Sequence, residues 1–335
     1  MTPELTLKQI TIDDERWLLF CERSSCTLFQ TPKWCHFIAE HYEFRPGVAA
    51  MFDGDRIIAG LPFATVDDFR GVYRVTFPFT DACDPVGSVP LRAFFEDGET
   101  LPWRVRGTQP SAEGDTRSSG VYQTLELPPE PALAVAKFHQ KQRVNAMRAP
   151  NAGATHRLLV GEEGLELFYP LFSRLRKEKF RMLPQPRRFF SELLTVYAGK
   201  SYVIVTTLGT DVLAAMIVLE HDSALYCKYS ASNRAFAALR PSNHLFSVAI
   251  DFAISRGFAV LDLGISTTPG LARFKEHLGA AGKTLYAVEK NPISKSKPVE
   301  QVEKAIQATI DILTDSSMPL EACQRAGGVL YRFFA

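Results

Sequence analysis

The sequence predicts a layered α/β fold divided into two domains, and three observations lead to this prediction. The chain has 335 residues, which is long for a single hydrophobic core. Strand-like runs alternate with amphipathic helical segments in both halves. A Pro-Asn-Ala-Gly breaker at 150–153 separates the two series. We therefore predict domains at 1–150 and 151–335.

The N-terminal half begins with a strand at 5–10 and a helix capped by Thr11, whose first turn is acidic. Threonine and proline at Thr31-Pro32 are typical of the start of a second helix. Asp53-Gly54-Asp55 between two apolar runs predicts a hairpin. The other predicted elements are strands at 48–52, 57–66, 73–79, 103–106 and 121–127, helices at 90–97 and 131–147, and a polar loop at 111–119.

The second half repeats the pattern. Its predicted strands lie at 156–160, 202–208, 212–220, 224–230, 259–263 and 284–288, and its helices at 162–179, 186–198, 241–256, 271–278 and 299–312. Gly257 suits a left-handed helix end. The path from strand 224–230 through helix 241–256 to strand 259–263 fits a right-handed crossover between parallel neighbours. Such a sheet places its ligand cleft at the strand ends beside the crossover helix.

Composition excludes several classes of function. Lys plus Arg number 38 against 37 Asp plus Glu, so no global field recruits nucleic acid or anionic membrane, and a polyanionic partner needs a local patch. The N-terminus has no signal-peptide pattern, and no stretch approaches the roughly 18 consecutive apolar residues of a membrane span. We therefore expect a soluble, cytoplasmic protein. The six cysteines lack paired zinc spacing and are expected to be reduced thiols in the core.

Standard catalytic signatures are missing from the sequence. It contains no G-x-S-x-G, H-E-x-x-H, G-x-x-x-x-G-K-[ST] or G-x-G-x-x-G pattern, and its seven histidines are scattered. We therefore expect no bound metal. Acyl transfer from a thioester or ester to an amine needs neither a metal nor a covalent nucleophile, because positioning and oxyanion donors can carry it.

Four fragments together resemble the FemAB-like branch of the GNAT acyltransferase superfamily. They are FQTPKW at 29–34, DACDP at 81–85, KQRVNAMR at 141–148, and LDLG at 261–264 followed by Phe274-Lys275 and Gly279. The second fragment is similar to a segment of the polysaccharide-associated, CelD-type members. The likeness runs from about residue 28 to residue 290. It implies two tandem GNAT-like halves with mixed central sheets and the transfer of an acyl or aminoacyl group to an amine or hydroxyl.

The resemblance also implies a donor site. In the superfamily, the helix after the splayed strand presents backbone N–H groups to the pyrophosphate of coenzyme A, which a helix N-terminus can hold. Here that helix begins at Arg240-Pro241-Ser242-Asn243, and Arg240 can add a guanidinium fork to a phosphate. The glycine-rich loop typical of coenzyme A binders is missing. The alternative is a capped surface helix.

Phe274 and Lys275 match a pair that assists aminoacyl transfer in the family, where the lysine lies near the acceptor or the reacting ester. Lys275 can neutralise an oxyanion; the alternative is a solvated lysine beside a core phenylalanine. Asp262 lies on an otherwise apolar strand, where a lone buried carboxylate is costly, so it must pair or face a cleft. It can deprotonate an ammonium or orient Lys275. The alternative is a carboxylate that accepts hydrogen bonds from nearby backbone N–H groups.

Tyr226, Lys228 and Tyr229 lie on the strand before the crossover. Strict alternation places Tyr226 and Lys228 on one face and Tyr229 on the other. A tyrosine at the cleft can protonate a leaving thiolate or a ribose oxygen. The alternative is a core tyrosine with its hydroxyl at the rim.

The sequence contains one local cationic patch. It comprises Lys137, Lys141, Arg143 and Arg148, joined by Arg174, Arg176, Lys177, Lys179 and Arg181. It is either a solvated helix face or a phosphate contact for coenzyme A, a nucleotide-linked acceptor or tRNA. Trp34 and Asp84 are predicted to line an acceptor cleft.

The sequence thus predicts an acyltransferase that uses acyl-CoA as co-substrate and binds no cofactor tightly. Lys275, Asp262 and Tyr229 are the predicted catalytic residues. Arg240, Ser242, Asn243 and Phe274 are predicted to bind the donor, and Trp34, Asp84, Arg143, Arg148 and Tyr226 the acceptor, which is a cell-envelope, polysaccharide or small-molecule precursor. Two alternatives stay open: an aminoacyl-tRNA-dependent transferase, for which no coiled-coil arm is visible, and a non-catalytic scaffold in polysaccharide biosynthesis.

Overall fold

The computed structural model describes residues 5–95, 100–293 and 296–335. The strands are β1 Leu5–Ile10, β2 Arg45–Asp53, β3 Arg56–Asp68, β4 Gly71–Val75, β5 Val86–Gly87, β6 Trp103–Gly107, β7 Asp115–Glu126, β8 Thr155–Leu159, β9 Ser201–Leu208, β10 Asp211–His221, β11 Ala224–Ser232, β12 Val260–Ser266 and β13 Ala281–Lys290. The helices are α1 Glu15–Arg23, α2 Pro32–Tyr42, α3 Pro131–Lys137, α4 Gln140–Ala146, α5 Arg148–Asn151, α6 Gly161–Phe180, α7 Arg187–Val196, α8 Pro241–Ser255, α9 Pro269–Glu276, α10 Lys297–Leu313 and α11 Leu320–Leu330. The predicted mixed α/β class is confirmed.

The chain divides into two compact units. Unit 1 comprises Met1–Tyr122, Lys283–Lys304 and Arg332–Ala335. Unit 2 comprises Gln123–Gly282 and Ala305–Tyr331. The two GNAT-like halves at 1–150 and 151–335 stay a prediction.

Unit 1 is built on a mixed sheet. Strands β1, β2, β3 and β4 pair in that order, each antiparallel to the next, and β4 then pairs parallel to β6. Strand β6 pairs antiparallel to β13. A core of large apolar side chains packs on this sheet, among them Leu61, Phe63, Phe94, Trp103 and Val105.

Unit 2 has the same order of pairings. Strands β8, β9, β10 and β11 are antiparallel neighbours, and β11 pairs parallel to β12 through the predicted crossover helix α8. Helix α8 packs on one face of the sheet, where Leu245 and Ala249 meet Met216 and Val218. Gly257, which follows α8, has a φ of 77°, as its predicted role in the helix end requires.

Several predicted elements are wrong in detail. Asp14, not Thr11, caps α1, since its carboxylate accepts the Arg16 N–H at 3.0 Å. Strand β4 ends at Val75 instead of 79, because Phe77 and Phe79 have positive φ angles. The predicted loop at 111–119 is largely strand β7, whose polar residues pair beside β13, as the hydrogen bond from Arg117 to Glu289 shows.

Two predicted helices also differ. The segment 131–147 breaks at the extended residue Phe138, and His139 caps the new helix α4. The segment 90–97 is a 3₁₀ helix at Leu91–Phe95, and its last two residues lie outside the described ones. Helix α11 was not predicted. No helix in the described part of the chain combines the length and apolar character that crossing a bilayer requires.

Candidate active site

Strands β11 and β12 part beside helix α8. Their parallel register runs from Ala224 opposite Val260 to Tyr226 opposite Asp262, and in the described residues it continues no further. Strand β11 nevertheless extends to Ser232 and β12 to Ser266. Because parallel strands need continuous pairing to stay adjacent, a gap opens between the ends of these two strands.

A β-bulge lies on β11 at the start of this gap. On the partner strand β10, Val218 is opposite Cys227 and Ile217 is opposite Tyr229, so Lys228 is the extra residue. Tyr226 is opposite Leu219 and therefore shares a face with Tyr229. The strict alternation predicted from the sequence is wrong here, because a bulge shifts every later side chain by one position.

Both tyrosines lie on the face of the sheet that α6 and α7 cover. The Tyr229 ring packs edge-on against Phe190, with ring centroids 5.0 Å apart, and also contacts Phe172 and Phe189. The Lys228 ammonium lies 5.4 Å from the Tyr229 ring centroid. Tyr226 is buried with its ring beside His221. The aromatic cluster fixes the position of Tyr229, and its catalytic role stays a prediction.

Helix α8 begins at the end of a cavity of about 250 Å³. Its walls come from the C-terminal part of α6, from the end of β11 and from the start of α8, and they include Leu175, Lys179, Ser232, Asn233, Arg234, Ala237, Arg240, Pro241, Ser242 and Asn243. Lys179, Arg234 and Arg240 give this cavity three cationic side chains and no carboxylate. The predicted donor residues Arg240, Ser242 and Asn243 therefore share one cavity.

The start of α8 has an unusual cap. Arg240 has a φ of 52° and makes no side-chain capping bond to the helix. Pro241 has no N–H, and the Asn243 N–H donates to the Arg240 carbonyl at 2.9 Å. The Asn243 side chain is buried and donates to the Gln142 amide oxygen on α4 at 2.6 Å. The donors that face the cavity are thus mainly side chains and the Ser242 N–H.

Asp262 and Lys275 both lie in the interior beside the end of β12. The Asp262 carboxylate accepts the Gly264 N–H at 2.8 Å, and the Lys275 ammonium donates to the carbonyls of Gly264 (3.1 Å) and Ile265 (2.8 Å). Only 4% of Asp262 and 3% of Lys275 is exposed. Lys275 is therefore not a solvated lysine. The bond from the Gly264 N–H agrees with the alternative interpretation of Asp262, a carboxylate that accepts hydrogen bonds from nearby backbone N–H groups. Their catalytic roles stay predictions.

Sequence reasoning missed three polar residues near this pair. Ser266 donates to the Gln123 side-chain oxygen at 2.7 Å, and Gln123 donates to the Ala272 carbonyl at 3.0 Å. This buried bridge ties β7 and β12 to α9, the helix that carries Lys275. Burial and the nearby Asp262 carboxylate raise the pKa of the Cys227 thiol, while Lys275 opposes that rise. Cys227 thus lies at the bulge, within electrostatic reach of both residues.

Phe274 of α9 packs edge-on against Phe246 of α8, with ring centroids 5.4 Å apart.

Among the predicted acceptor residues, Arg143 and Arg148 are exposed. The Arg143 guanidinium donates to the Ala136 carbonyl and that of Arg148 to the Ala238 carbonyl, both at 3.4 Å. Two members of the predicted cationic patch have structural roles. Lys177 donates to the Asp315 carbonyl and Arg181 to the Thr314 carbonyl, both at 2.6 Å.

Trp34 and Asp84 belong to unit 1. Trp34 is fully buried between Phe29 and Phe37. The Asp84 carboxylate accepts the N–H of Thr108 and of Gln109, and the Thr108 hydroxyl. These contacts organise the loop after β6, and the predicted acceptor roles of both residues stay predictions. Among the described residues, no group of three or more His, Cys, Asp or Glu is placed to hold a metal ion.

Residues 136–276 match the family model described as an acetyltransferase (GNAT) domain. These residues all lie in unit 2 and include the parting strands, helix α8 and helix α9 up to its last residue. The comparison with curated proteins gives no match.

Three solved structures share the fold at low sequence identity. FemX is 12% identical with a TM-score of 0.62, over 90% of this chain and 100% of FemX. L-PGS from Bacillus licheniformis is 14% identical with a TM-score of 0.51, over 90% of this chain and 98% of L-PGS. The tandem GNAT protein from the clavulanic acid biosynthesis pathway is 10% identical with a TM-score of 0.52, over 87% of this chain and 100% of that protein.

Proposed function

We propose that this chain is an acyltransferase whose donor is acyl-CoA, bound where β11 and β12 part. The match of residues 136–276 to the model of an acetyltransferase (GNAT) domain supports this proposal. The end of the strand register at Tyr226 and Asp262 is the observation that carries the proposal. A gap between two strands exposes backbone hydrogen-bonding groups to a ligand, and the amide-rich arm of coenzyme A can pair with such groups. The thioester would then lie beside the bulge.

The cavity at the start of α8 supports a phosphate site. Lys179, Arg234 and Arg240 line it, and the helix dipole adds partial positive charge at Ser242. Charge-assisted bonds from guanidinium groups to phosphate are stronger than neutral ones. The pyrophosphate of the donor would be held here, mainly by side chains rather than by a glycine-rich loop.

The chemical step needs few protein groups. A nitrogen or oxygen of the acceptor attacks the thioester carbonyl carbon, the C–S bond breaks, and the thiolate leaves and takes up a proton. We assign Asp262 to the removal of the acceptor's proton, directly or through water, and Tyr229 to protonation of the leaving thiolate. We assign to Lys275 the stabilisation of the oxyanion, through the Gly264 segment that its ammonium holds in place.

For the acceptor, we propose a chemical class and not a single compound. The FemAB-like resemblance favours a cell-envelope or polysaccharide precursor, made in the cytoplasm where acyl-CoA occurs. Arg143 and Arg148 are exposed cations on α4 and α5 that suit a phosphorylated precursor. This part of the proposal is tested by offering amino sugars and nucleotide-linked sugars as acceptors.

One observation favours a second donor. Pro241 has no N–H, and the Asn243 N–H already donates to the Arg240 carbonyl. The start of α8 therefore offers fewer free backbone N–H groups to a phosphate than a glycine-rich loop does. An aminoacyl-tRNA would present its ester to the same gap without a coenzyme A pyrophosphate. Its binding should weaken steeply with added salt, because tRNA contacts release many counterions.

The test is a binding titration with acetyl-CoA on the full chain. Arg240→Gln should weaken binding about tenfold, the loss of one charge-assisted contact to phosphate. The control is Arg188→Gln, since Arg188 lies on the same unit with its side chain 83% exposed. Equal affinities of the two variants, or no saturable binding to the wild type, would contradict the acyl-CoA proposal. Saturable binding of charged tRNA in its place would support the second donor.

A further inference from the structure

Unit 1 contains a second place where two parallel strands part. The register between β4 and β6 covers only Arg74 opposite Trp103 and Val75 opposite Arg104. The Thr76 N–H still donates to the Arg104 carbonyl at 3.0 Å, but the next β6 amide, that of Arg106, donates to the Thr76 hydroxyl at 3.1 Å. The Thr76 hydroxyl thus accepts the bond that the Thr76 carbonyl would accept in a continuous parallel pair. Residues 76–80 then lead the chain away from β4.

A cavity of about 300 Å³ lies at this opening. Residues 75–80 and 104–106 form two of its walls, and Arg117, residues 287–289 and the segment Phe334–Ala335 complete it. Phe77 and Phe79 have φ angles of 34° and 64°, which are unfavourable for residues with a side chain. Such strained backbone is concentrated at functional sites of proteins.

The charges in this cavity are unbalanced. Three guanidinium groups, those of Arg104, Arg106 and Arg117, share one acidic side chain, that of Glu289, and Ala335, the last residue of the sequence, also lines the cavity. Glu289 lies 2.8 Å from the Arg117 guanidinium and 4.0 Å from that of Arg104. Arg106 is exposed, and its side chain makes no hydrogen bond or ion pair with the described residues. Like charges held close together raise the free energy of the folded state, unless an anion binds among them.

We propose that this cavity is a binding site for the phosphate group of a small phosphorylated ligand. Guanidinium groups match phosphate oxygens in bidentate geometry, and two or three of them give both charge and orientation. The volume is at the lower end of that of small-molecule sites, so a phosphate or pyrophosphate with a small attached group fits it. The site consists of residues of unit 1 alone and is independent of the proposed donor site.

The test uses inorganic pyrophosphate as the probe, titrated into the full chain at constant ionic strength. Arg106→Gln should weaken its binding about tenfold, since one charge-assisted contact is lost. Glu289→Gln should strengthen it several-fold, because it removes the carboxylate that competes with the ligand. The matched control is Arg56→Gln, an arginine of the same unit with its side chain 79% exposed, which should bind as the wild type does.

Two results separate this site from the donor site and from a folding defect. Hydrogen exchange with pyrophosphate present should slow at residues 76–80 and 104–107, and Arg240→Gln should leave that protection intact. The proposal is overturned if pyrophosphate protects only the start of α8, if Arg106→Gln binds like Arg56→Gln, or if Glu289→Gln weakens binding. Thermal unfolding of each variant checks that it is folded, and Glu289→Gln tests the site by a gain of affinity that misfolding does not produce.

Discussion

The Asp262 carboxylate accepts the N–H of Gly264, two residues further along the same strand, at a distance of 2.8 Å. Gly264 has a φ of 66°, which glycine adopts readily and other residues rarely do. The bond compensates part of the cost of burying a carboxylate and fixes the irregular backbone at Gly264 within β12. Asp262 therefore shapes the strand end and lies beside the gap between β11 and β12 at the same time.

Substitutions of Asp262 should separate these two roles. Asp262→Asn keeps an oxygen that can accept the Gly264 N–H but lacks the charge and the basicity, so we expect acyl transfer to fall by about 10²-fold or more. Asp262→Ala loses the bond as well and should destabilise unit 2 by about 1–3 kcal/mol more than Asp262→Asn does. Steady-state rates and urea unfolding measure the two effects. Wild-type rates for Asp262→Asn would leave Asp262 with the structural role only.

Lys275 should contribute to stability whatever its part in the reaction. Lys275→Met removes a buried ammonium that donates to the carbonyls of Gly264 and Ile265. We expect a loss of about 2–3 kcal/mol in the free energy of unfolding, because buried acceptors lose their donor. Lys200→Met, at an exposed position of the same unit, should change it by no more than about 0.5 kcal/mol. Equal unfolding curves for the two variants would contradict this account of Lys275.

The sequence was sufficient to predict the elements of unit 2 from β8 to β12, because their periodicities are long and regular. The helix at Pro241–Ser255 and the strand after it follow the predicted path closely. The bulge at Lys228 could not be predicted, since it is defined by the partner strand and has no local signal such as glycine. Strand β7 was partly missed for a similar reason: its polar residues favour a loop until β13 pairs with them.

The positions of the helices and strands that form the candidate site could be predicted from the sequence, but the burial and contacts of its side chains could not. Arg240 and Ser242 share a cavity because both lie at the predicted start of a helix. The burial of Lys275 was not predictable, because it lies in an eight-residue helix that also carries the charged side chains Arg273 and Glu276. The bond from Asn243 to Gln142 joins residues 101 positions apart, and no local pattern encodes it.

Neighbouring glycines in α11 provide a test of how that helix packs. A Cβ at Gly327 would lie 2.1 Å from the Pro184 carbonyl oxygen, whereas a Cβ at Gly328 would meet nothing within 4 Å. Gly327→Ala should therefore destabilise the chain by about 1–3 kcal/mol through overpacking against backbone. Gly328→Ala should stabilise it by up to about 1 kcal/mol, since alanine favours helix. Thermal or urea unfolding measures both, and a destabilisation by Gly328→Ala equal to that by Gly327→Ala would refute the predicted contact.

His244 should make stability depend on pH. Burial, and then repulsion from His156, lower the pKa of its imidazole below the ordinary value of 6.5. The unfolded chain therefore binds a proton at a higher pH than the folded chain does. The stability due to the neutral ring is fully present above pH 6.5 and is lost as the pH falls through the lowered pKa.

His244→Gln should reduce the loss of stability that the wild type shows on going from about pH 8 to about pH 5. The nearby Asp251 has a pKa that burial raises, and its contribution to stability falls as the pH rises above 3.8. Asp251 is present in both proteins, so the difference between their pH profiles isolates His244. Urea unfolding at several pH values gives the two profiles. Parallel profiles would mean that the imidazole of His244 keeps an ordinary pKa in the folded chain.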